Sequence, residues 1–336
     1  MKIALILAGD EDGGLENHVL ELAEGLSKEK HEVHLIAHER FGIRASADVL
    51  FHPLNLAAWR YHPGNLIALR RAIANINPDI VHCHGGKSTQ IMSIIKPFLK
   101  IPTVASIHAL KKPKWYYRRL DAHICVSRGV AKAVQPKNPF VIYNGVAQGR
   151  VEASAWQNRP DQATKKILFI GRLVPVKGLD ILVKALPELD VSLTVAGDGP
   201  ERHRLESIAH DLGVAHKIIW LGQVKSVSQL FGDTDLLVIS SLREGFSYAC
   251  AEALLARRAV ISSDVPVANE CIPTNGIAKP LSPASLTKTL QNALADLPHY
   301  YNEMNTAFEF AQEHFSLDAM IRNTLKVYEA SLRSNR

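Results

Sequence analysis

Short apolar runs rich in β-branched residues alternate with segments of helical period almost throughout the 336 residues. That alternation constrains the chain to parallel β-α-β units, because a parallel strand needs a crossover that covers the sheet. The first unit reads as a strand at Ile3–Ala8, a turn with Gly13 and Gly14, and a helix with Leu15, Val19, Leu22 and Leu26 on one face. Further strands read at Glu32–Ala37, Ile80–His82, Thr103–Ile107, Ala122–Val126 and Val141–Tyr143. Residues 146–164 are polar, rich in small side chains and without sustained period, as an interdomain linker would be. A second series follows at Ile167–Ile170, Leu193–Ala196, Ile218–Leu221, Leu236–Ser240 and Ala259–Ser262. The sequence therefore predicts two doubly wound, Rossmann-like α/β domains, residues 1–150 and 151–314. Residues 315–336 read as a helix with no strand to serve, expected to pack back towards the first domain. Open sheets of this kind bind ligands beyond the carboxyl ends of their strands. The chemistry is expected in the strand-to-helix turns facing a cleft between the two domains.

The formal net charge of +6 hides an asymmetry: residues 1–150 carry 20 basic and 12 acidic side chains, and residues 151–336 carry 19 and 21. A basic first half suits an anionic partner, whether a phosphate-bearing ligand, a membrane surface or nucleic acid. Cys83, Cys125, Cys250 and Cys271 are far apart in sequence, with neither a zinc spacing nor a disulfide framework, and read as reduced thiols. The run Ile3–Ala8 is too short for a signal-peptide core, and no stretch approaches the length of a membrane span. A cytoplasmic location is expected, with peripheral contact at the inner face of the membrane open.

Three turns in the second half carry the chemistry. Gly171-Arg172-Leu173-Val174-Pro175-Val176-Lys177-Gly178 joins a strand to a helix expected at Leu179–Leu189, which puts a guanidinium and an ammonium beside a helix start. Such a pair suits a diphosphate; two solvated surface cations are the plain alternative. Gly197-Asp198-Gly199-Pro200 follows the next strand, and serves equally as a tight turn or a close approach to ligand. Glu244-Gly245-Phe246-Ser247 then leads into a helix carrying Glu252, so two glutamates eight apart stand on the carboxyl side of a strand. A carboxylate there can accept hydroxyl hydrogen bonds from a sugar or a ribose diol. GxGxxG is absent from both halves, which argues against a dinucleotide oxidoreductase.

With these residues in place, the chain resembles the family 4 glycosyltransferases of GT-B fold, retaining enzymes that use nucleotide sugars. The resemblance spans nearly the whole chain through GGLENHVLELAEGL (13–26), HCHGGKS (82–88), SIHAL (106–110), VSRGVAK (126–132), VIYNGV (141–146), GRLVPVKGLDIL (171–182), VAGDGPERHRLE (195–206) and EGFSYACAEAL (244–254). It implies that Arg172 and Lys177 hold the donor diphosphate and stabilise the leaving group, with Gly171 and Gly197 in the donor turns. It further implies that Glu252 takes the ribose hydroxyls, and that Glu244, Gly245, Phe246 and Ser247 surround the donor sugar. Gly14 would approach the diphosphate or acceptor, and His108 would line the reaction centre. No obligatory metal or other cofactor is implied. The implied partners are a nucleotide sugar, best read as UDP-linked, and a phosphorylated glycan or glycolipid acceptor, with lipopolysaccharide core as first guess.

Other features are weighed against blander readings. His82 and His84 fall on one strand face but show no third ligand, so no metal is expected there. Asp233-Thr234-Asp235 sits at the entry edge of a strand and reads as a turn rather than a metal motif. Lys111, Lys112, Lys114, Trp115, Arg118 and Arg119 interleave cations with aromatics, as an acceptor or anionic membrane surface would. Arg257-Arg258 and Ser263-Asp264-Val265-Pro266-Val267 depart from the family's glycines near the donor sugar, which puts the donor's identity in question. Two rival functions stay open on sequence: a nucleotide-sugar epimerase of the same fold, and a nucleic-acid-binding protein using the basic half. The second is not favoured, because it leaves Glu244 and Glu252 without a role.

Overall fold

The computed structural model describes residues 1–10, 13–56, 59–153 and 164–334; Glu11, Asp12 and most of the expected linker lie outside the described residues. The chain divides into two compact units, Met1–Ala147 with Ser316–Arg336, and Gln148–Phe315.

Among the described residues, the first unit holds seven parallel strands: β1 (Lys2–Leu7), β2 (Glu32–Ala37), β3 (Leu50–Pro53), β4 (Ile80–His84), β5 (Thr103–Ile107), β6 (Ala122–Cys125) and β7 (Pro139–Val141). Their order is β3-β2-β1-β4-β5-β6-β7, so the winding reverses between β1 and β4. Strand alternation sorts β1 between two cores. Ile3, Leu5 and Leu7 pack with Val19, Leu22 and Leu26 of helix Gly14–Lys28, and Ala4 and Ile6 pack with Leu69, Ile73, Ile91 and Met92 on the other face. β4 runs two residues beyond the apolar pattern because His82 and His84 are themselves buried. β3, at the sheet edge, is only four residues long and partly exposed, too short to have shown in the sequence.

The last helix, Leu317–Ser334, joins this first core through Met320, Ile321, Val327 and Tyr328. Gly25 lies directly under it: a Cβ there would stand 2.1 Å from Ile321 Cδ1, so that side-chain end would have to turn aside. Tyr328 is fully buried, and its hydroxyl lies 2.6 Å from His82 Nδ1, while His82 Nε2 lies 2.8 Å from Ser106 Oγ. Tyr328→Phe therefore orphans a buried imidazole nitrogen and is expected to cost about 1–3 kcal/mol in urea unfolding; an unchanged midpoint would deny the bond that weight.

Among the described residues, the second unit holds six parallel strands: β8 (Lys165–Ile170), β9 (Val191–Ala196), β10 (Ile218–Gly222), β11 (Leu236–Ile239), β12 (Ala259–Ser263) and β13 (Ile277–Ala278). The order β10-β9-β8-β11-β12-β13 reverses between β8 and β11. The helix expected at 179–189 ends at Ala185, followed by a tight turn at Leu186–Glu188, since Pro187 has no amide hydrogen to continue the ladder. Asp233–Asp235 is structural: Asp235 Oδ2 accepts from Lys166 N at 2.8 Å, and Asp233 pairs with Lys166 Nζ at 2.5 Å.

Candidate active site

The turns after β8 and β11 flank the switch point of the second sheet, where a doubly wound fold opens to ligand. They are tied by backbone. Gly178, at φ +60, lets the first turn press on the end of β11: a Cβ would lie 2.2 Å from Ser240 O. Leu242 N donates to Val176 O at 2.8 Å, and Ser240 Oγ donates to Lys177 O at 3.1 Å. Lys177 Nζ consequently lies 2.5 Å from Glu244 Oε1, which also accepts from Ser241 Oγ at 2.8 Å. Lys177 is partly accessible while Glu244 is nearly enclosed, so the carboxylate fixes the ammonium and leaves its other hydrogens to a ligand. Arg172 is exposed and, among the described residues, faces no acidic side chain. The following helix has only seven residues, so the positive character of this turn comes from the two cations rather than from a helix dipole.

Ser247 caps helix Tyr248–Leu255, accepting from Cys250 N at 3.3 Å. Phe246 is buried, its ring 5.1 Å from that of Tyr248 and 5.7 Å from that of Phe315, and it fixes the path of the chain through Gly245. Glu252, about one turn into the helix, is buried, and its Oε1 lies 2.7 Å from Arg150 Nε. Arg150 also stands over the Tyr248 ring at 5.9 Å. Neither Arg150 nor Ser241 has a sequence signature, since one falls in the polar segment 146–164 and the other is a serine at a strand end.

Gly171 and Gly197 serve the turns' mutual packing. Gly171 N donates to Ala196 O at 3.0 Å, and a Cβ on Gly197 would lie 1.9 Å from Gly171 O. The departures from the family pattern are anchored next door. Arg257 takes the left-handed conformation at φ +56 that glycine usually fills, and Arg258 is buried with its Nε donating to Phe231 O. Ser263 Oγ donates to Ser241 O at 2.6 Å, tying the unusual 263–267 loop to the serine that holds Glu244. Cys250 and Cys271, remote in sequence, are in side-chain contact, and that contact, burial and the nearby Glu244 charge push the Cys250 thiol well up.

In the first unit, Gly14 opens its helix and is exposed, and His108 immediately follows β5. His108 does not stand alone: His18 and His84 lie beside it, with ring centroids at 4.6 Å and 6.0 Å from its own. The premise that no third ligand accompanies His84 is thus corrected, because helix Gly14–Lys28 and the end of β5 bring two more imidazoles to it. In the segment 111–119, Tyr116 and Tyr117 turn into the core, while Lys111, Lys112, Lys114, Trp115, Arg118 and Arg119 stay exposed. Arg119 lies over the Trp115 ring at 5.4 Å.

Two parallel, doubly wound units with the second switch point so furnished define a GT-B glycosyltransferase. The chain matches the family model for Glycosyltransferase Family 4 over residues 12–150 and that for group 1 glycosyl transferases over residues 151–308. It belongs to the family 4 glycosyltransferases. An uncharacterized glycosyltransferase of Methanocaldococcus jannaschii is 27% identical over 371 residues, covering 95% of each chain. A Campylobacter jejuni α-1,4-N-acetyl-D-galactosaminyltransferase, named for a GalNAc-GalNAc-diNAcBac-PP-undecaprenol substrate, is 30% identical over 297 residues, covering 78% of this chain and 79% of its own. The structure of Anabaena HepE in complex with UDP and glucose superposes with a TM-score of 0.80 at 19% identity, covering 98% and 99%.

Proposed function

We propose that this glycosyltransferase moves a sugar from a UDP-linked donor to a phosphate-bearing glycan or glycolipid, with retention at the anomeric carbon. The observation that carries the donor half is the Lys177–Glu244–Ser241 cluster beside Arg172, with Glu252 buried in the following helix. Arg172 and Lys177 bind the diphosphate and take up its charge as the sugar–oxygen bond breaks. The acceptor oxygen bonds the anomeric carbon from the face the diphosphate leaves, and the acceptor proton passes to the departing diphosphate oxygen. Glu252 accepts from the ribose hydroxyls, and Glu244 with the 245–246 backbone orients the sugar. No metal is part of this proposal, since Arg172 and Lys177 supply the counter-charge. UDP in the HepE complex supports the choice of base. Thermal melting with UDP-, GDP- and ADP-sugars tests it: a matched donor at a hundred times its Kd stabilises by about 2.7 kcal/mol. Stabilisation by another base alone would replace UDP, and none by any would remove the donor reading.

The acceptor half rests on the first unit. Arg60, Lys87 and Lys111 converge near the start of helix Gly85–Ile95, where Gly86 leaves room for the Lys111 ammonium 3.1 Å from where its Cβ would stand. Desolvation chiefly lowers the pKa of both lysines, with the Arg60 charge adding to it; for Lys87 the Asp10 carboxylate opposes the shift, and for Lys111 the Lys114 charge reinforces it. The Campylobacter relative's lipid-diphosphate substrate supports a membrane-borne acceptor of this chemistry, and lipopolysaccharide core is the first candidate. No helix among the described residues is long and apolar enough to cross a membrane; contact at the inner face would run through Trp115 and its flanking cations. Lys111→Glu is expected to raise the acceptor KM about tenfold or more while leaving the donor's thermal stabilisation intact. An unchanged acceptor KM would move the acceptor elsewhere.

A further inference from the structure

We propose that His18, His84 and His108 form a binding site for one divalent transition-metal ion, zinc or a metal of similar softness. One nitrogen from each ring lies within 4.8 Å of the others, and the ring centroids are 4.6, 5.5 and 6.0 Å apart. A tetrahedral zinc with bonds of about 2.0–2.1 Å needs ligand nitrogens roughly 3.3 Å apart, within reach of small side-chain rotations. The three residues come from different elements at the switch point of the first sheet: His84 ends β4, His108 follows β5, and His18 lies on the helix after β1.

Unmet polar capacity points the same way. Both ring nitrogens of His18 and His84, and Nε2 of His108, are buried with no hydrogen-bond partner among the described residues, and His18 and His84 are only 5% and 2% exposed. Leaving such groups unpaired costs about 1–3 kcal/mol each, and a shared metal ion uses the lone pairs directly. Imidazoles that merely pack together have another solution, which His34 and His52 adopt with Nδ1 and Nε2 2.8 Å apart. The cluster does not adopt it. His82, 4.0 Å away ring to ring, is no ligand, because Tyr328 and Ser106 hold both its nitrogens. Burial keeps the three rings in the neutral form that ligates metals, the His18 pKa falling to about 4. An all-imidazole set favours zinc, cobalt, nickel or copper over magnesium or calcium, which want oxygen. Three protein ligands would leave a fourth position for water.

The test uses the full chain, treated with chelator and titrated with Co²⁺ and then Zn²⁺. One equivalent of Co²⁺ is expected to give the intense visible bands of a four-coordinate ion, which Zn²⁺ abolishes by displacement. His84→Gln and the more accessible His108→Gln should each weaken Zn²⁺ binding about a hundredfold or more, whereas His34→Gln should not. Circular dichroism identifies any variant that fails to fold. A six-coordinate spectrum, no tight equivalent, or binding indifferent to both folded variants would overturn the site. The donor's thermal stabilisation reads residues of the other unit, so a failure here and a failure of the transferase reading are separable.

Discussion

Lys177→Ala is expected to lower kcat/KM for sugar transfer by about a hundred- to a thousandfold, the loss typical of removing one charge-stabilising donor from a reaction centre. The reasoning starts from the Glu244 carboxylate. With 10% of its side chain exposed and both Lys177 and Ser241 on one oxygen, it holds the ammonium in a fixed position beside the exposed Arg172. A lysine held in this way meets developing negative charge without reorganising, which is where a fixed cation gains over water. Alanine removes that charge and leaves Glu244 as uncompensated negative charge close to a diphosphate, so the donor is also repelled. Glu252→Ala acts on a different part of the donor. It removes the carboxylate proposed to accept from the ribose hydroxyls, together with its ion pair to Arg150, so donor affinity should fall while the sugar end is untouched. Initial rates and donor-dependent melting separate the two: Lys177→Ala chiefly lowers kcat, and Glu252→Ala chiefly raises the donor KM. Unchanged turnover in either folded variant would sink the role given to that residue.

Most residues of this candidate site stand out in the sequence because their spacing is local. A turn bearing Arg172 and Lys177 and a helix bearing Glu252 are each contained in one strand-to-helix junction, and alternation fixes which end of the strand they occupy. The remainder depends on pairs remote in sequence. Ser241 matters because Ser263, 22 residues on, bonds its carbonyl while its hydroxyl bonds Glu244. Arg150 reaches Glu252 across about a hundred residues, and no spacing rule encodes that. The same limit hid the histidine cluster: His84 and His82 are visible on one strand, but His18 and His108 join them only through the parallel order of β1, β4 and β5. In residues 111–119 the sequence shows three aromatics together and cannot separate the two tyrosines that fill the core from the tryptophan that stays outside. Burial of a side chain there depends on the sheet beneath it, not on its neighbours in the chain.

Gly197→Ala is expected to destabilise the second unit by about 4 kcal/mol or more, an effect reached only when backbone cannot yield. Gly197 has φ +149, where side chains are rarely tolerated, and a Cβ would stand 1.9 Å from Gly171 O. The neighbouring backbone is already committed: Gly197 N donates to Gly222 O at 2.8 Å, Gly171 N to Ala196 O at 3.0 Å, and Leu173 N to Asp198 O at 2.9 Å. Gly199 is equally confined, its Cβ position 2.4 Å from Leu173 O. A methyl group at 197 must therefore push the 171–178 turn off the 197–200 turn, breaking these bonds and carrying Arg172 and Lys177 away from Glu244. Stability and donor binding should fall together, which a ligand-contacting glycine would not produce, since that would cost binding alone. Gly213→Ala, at φ +68 with nothing within 4 Å, isolates the conformational part and should cost only about 1–2 kcal/mol. Gly232→Ala, with open space and no positive φ, should be neutral or slightly stabilising. If urea unfolding placed Gly197→Ala with Gly213→Ala, the packing of the two turns would not be what holds the cations in place.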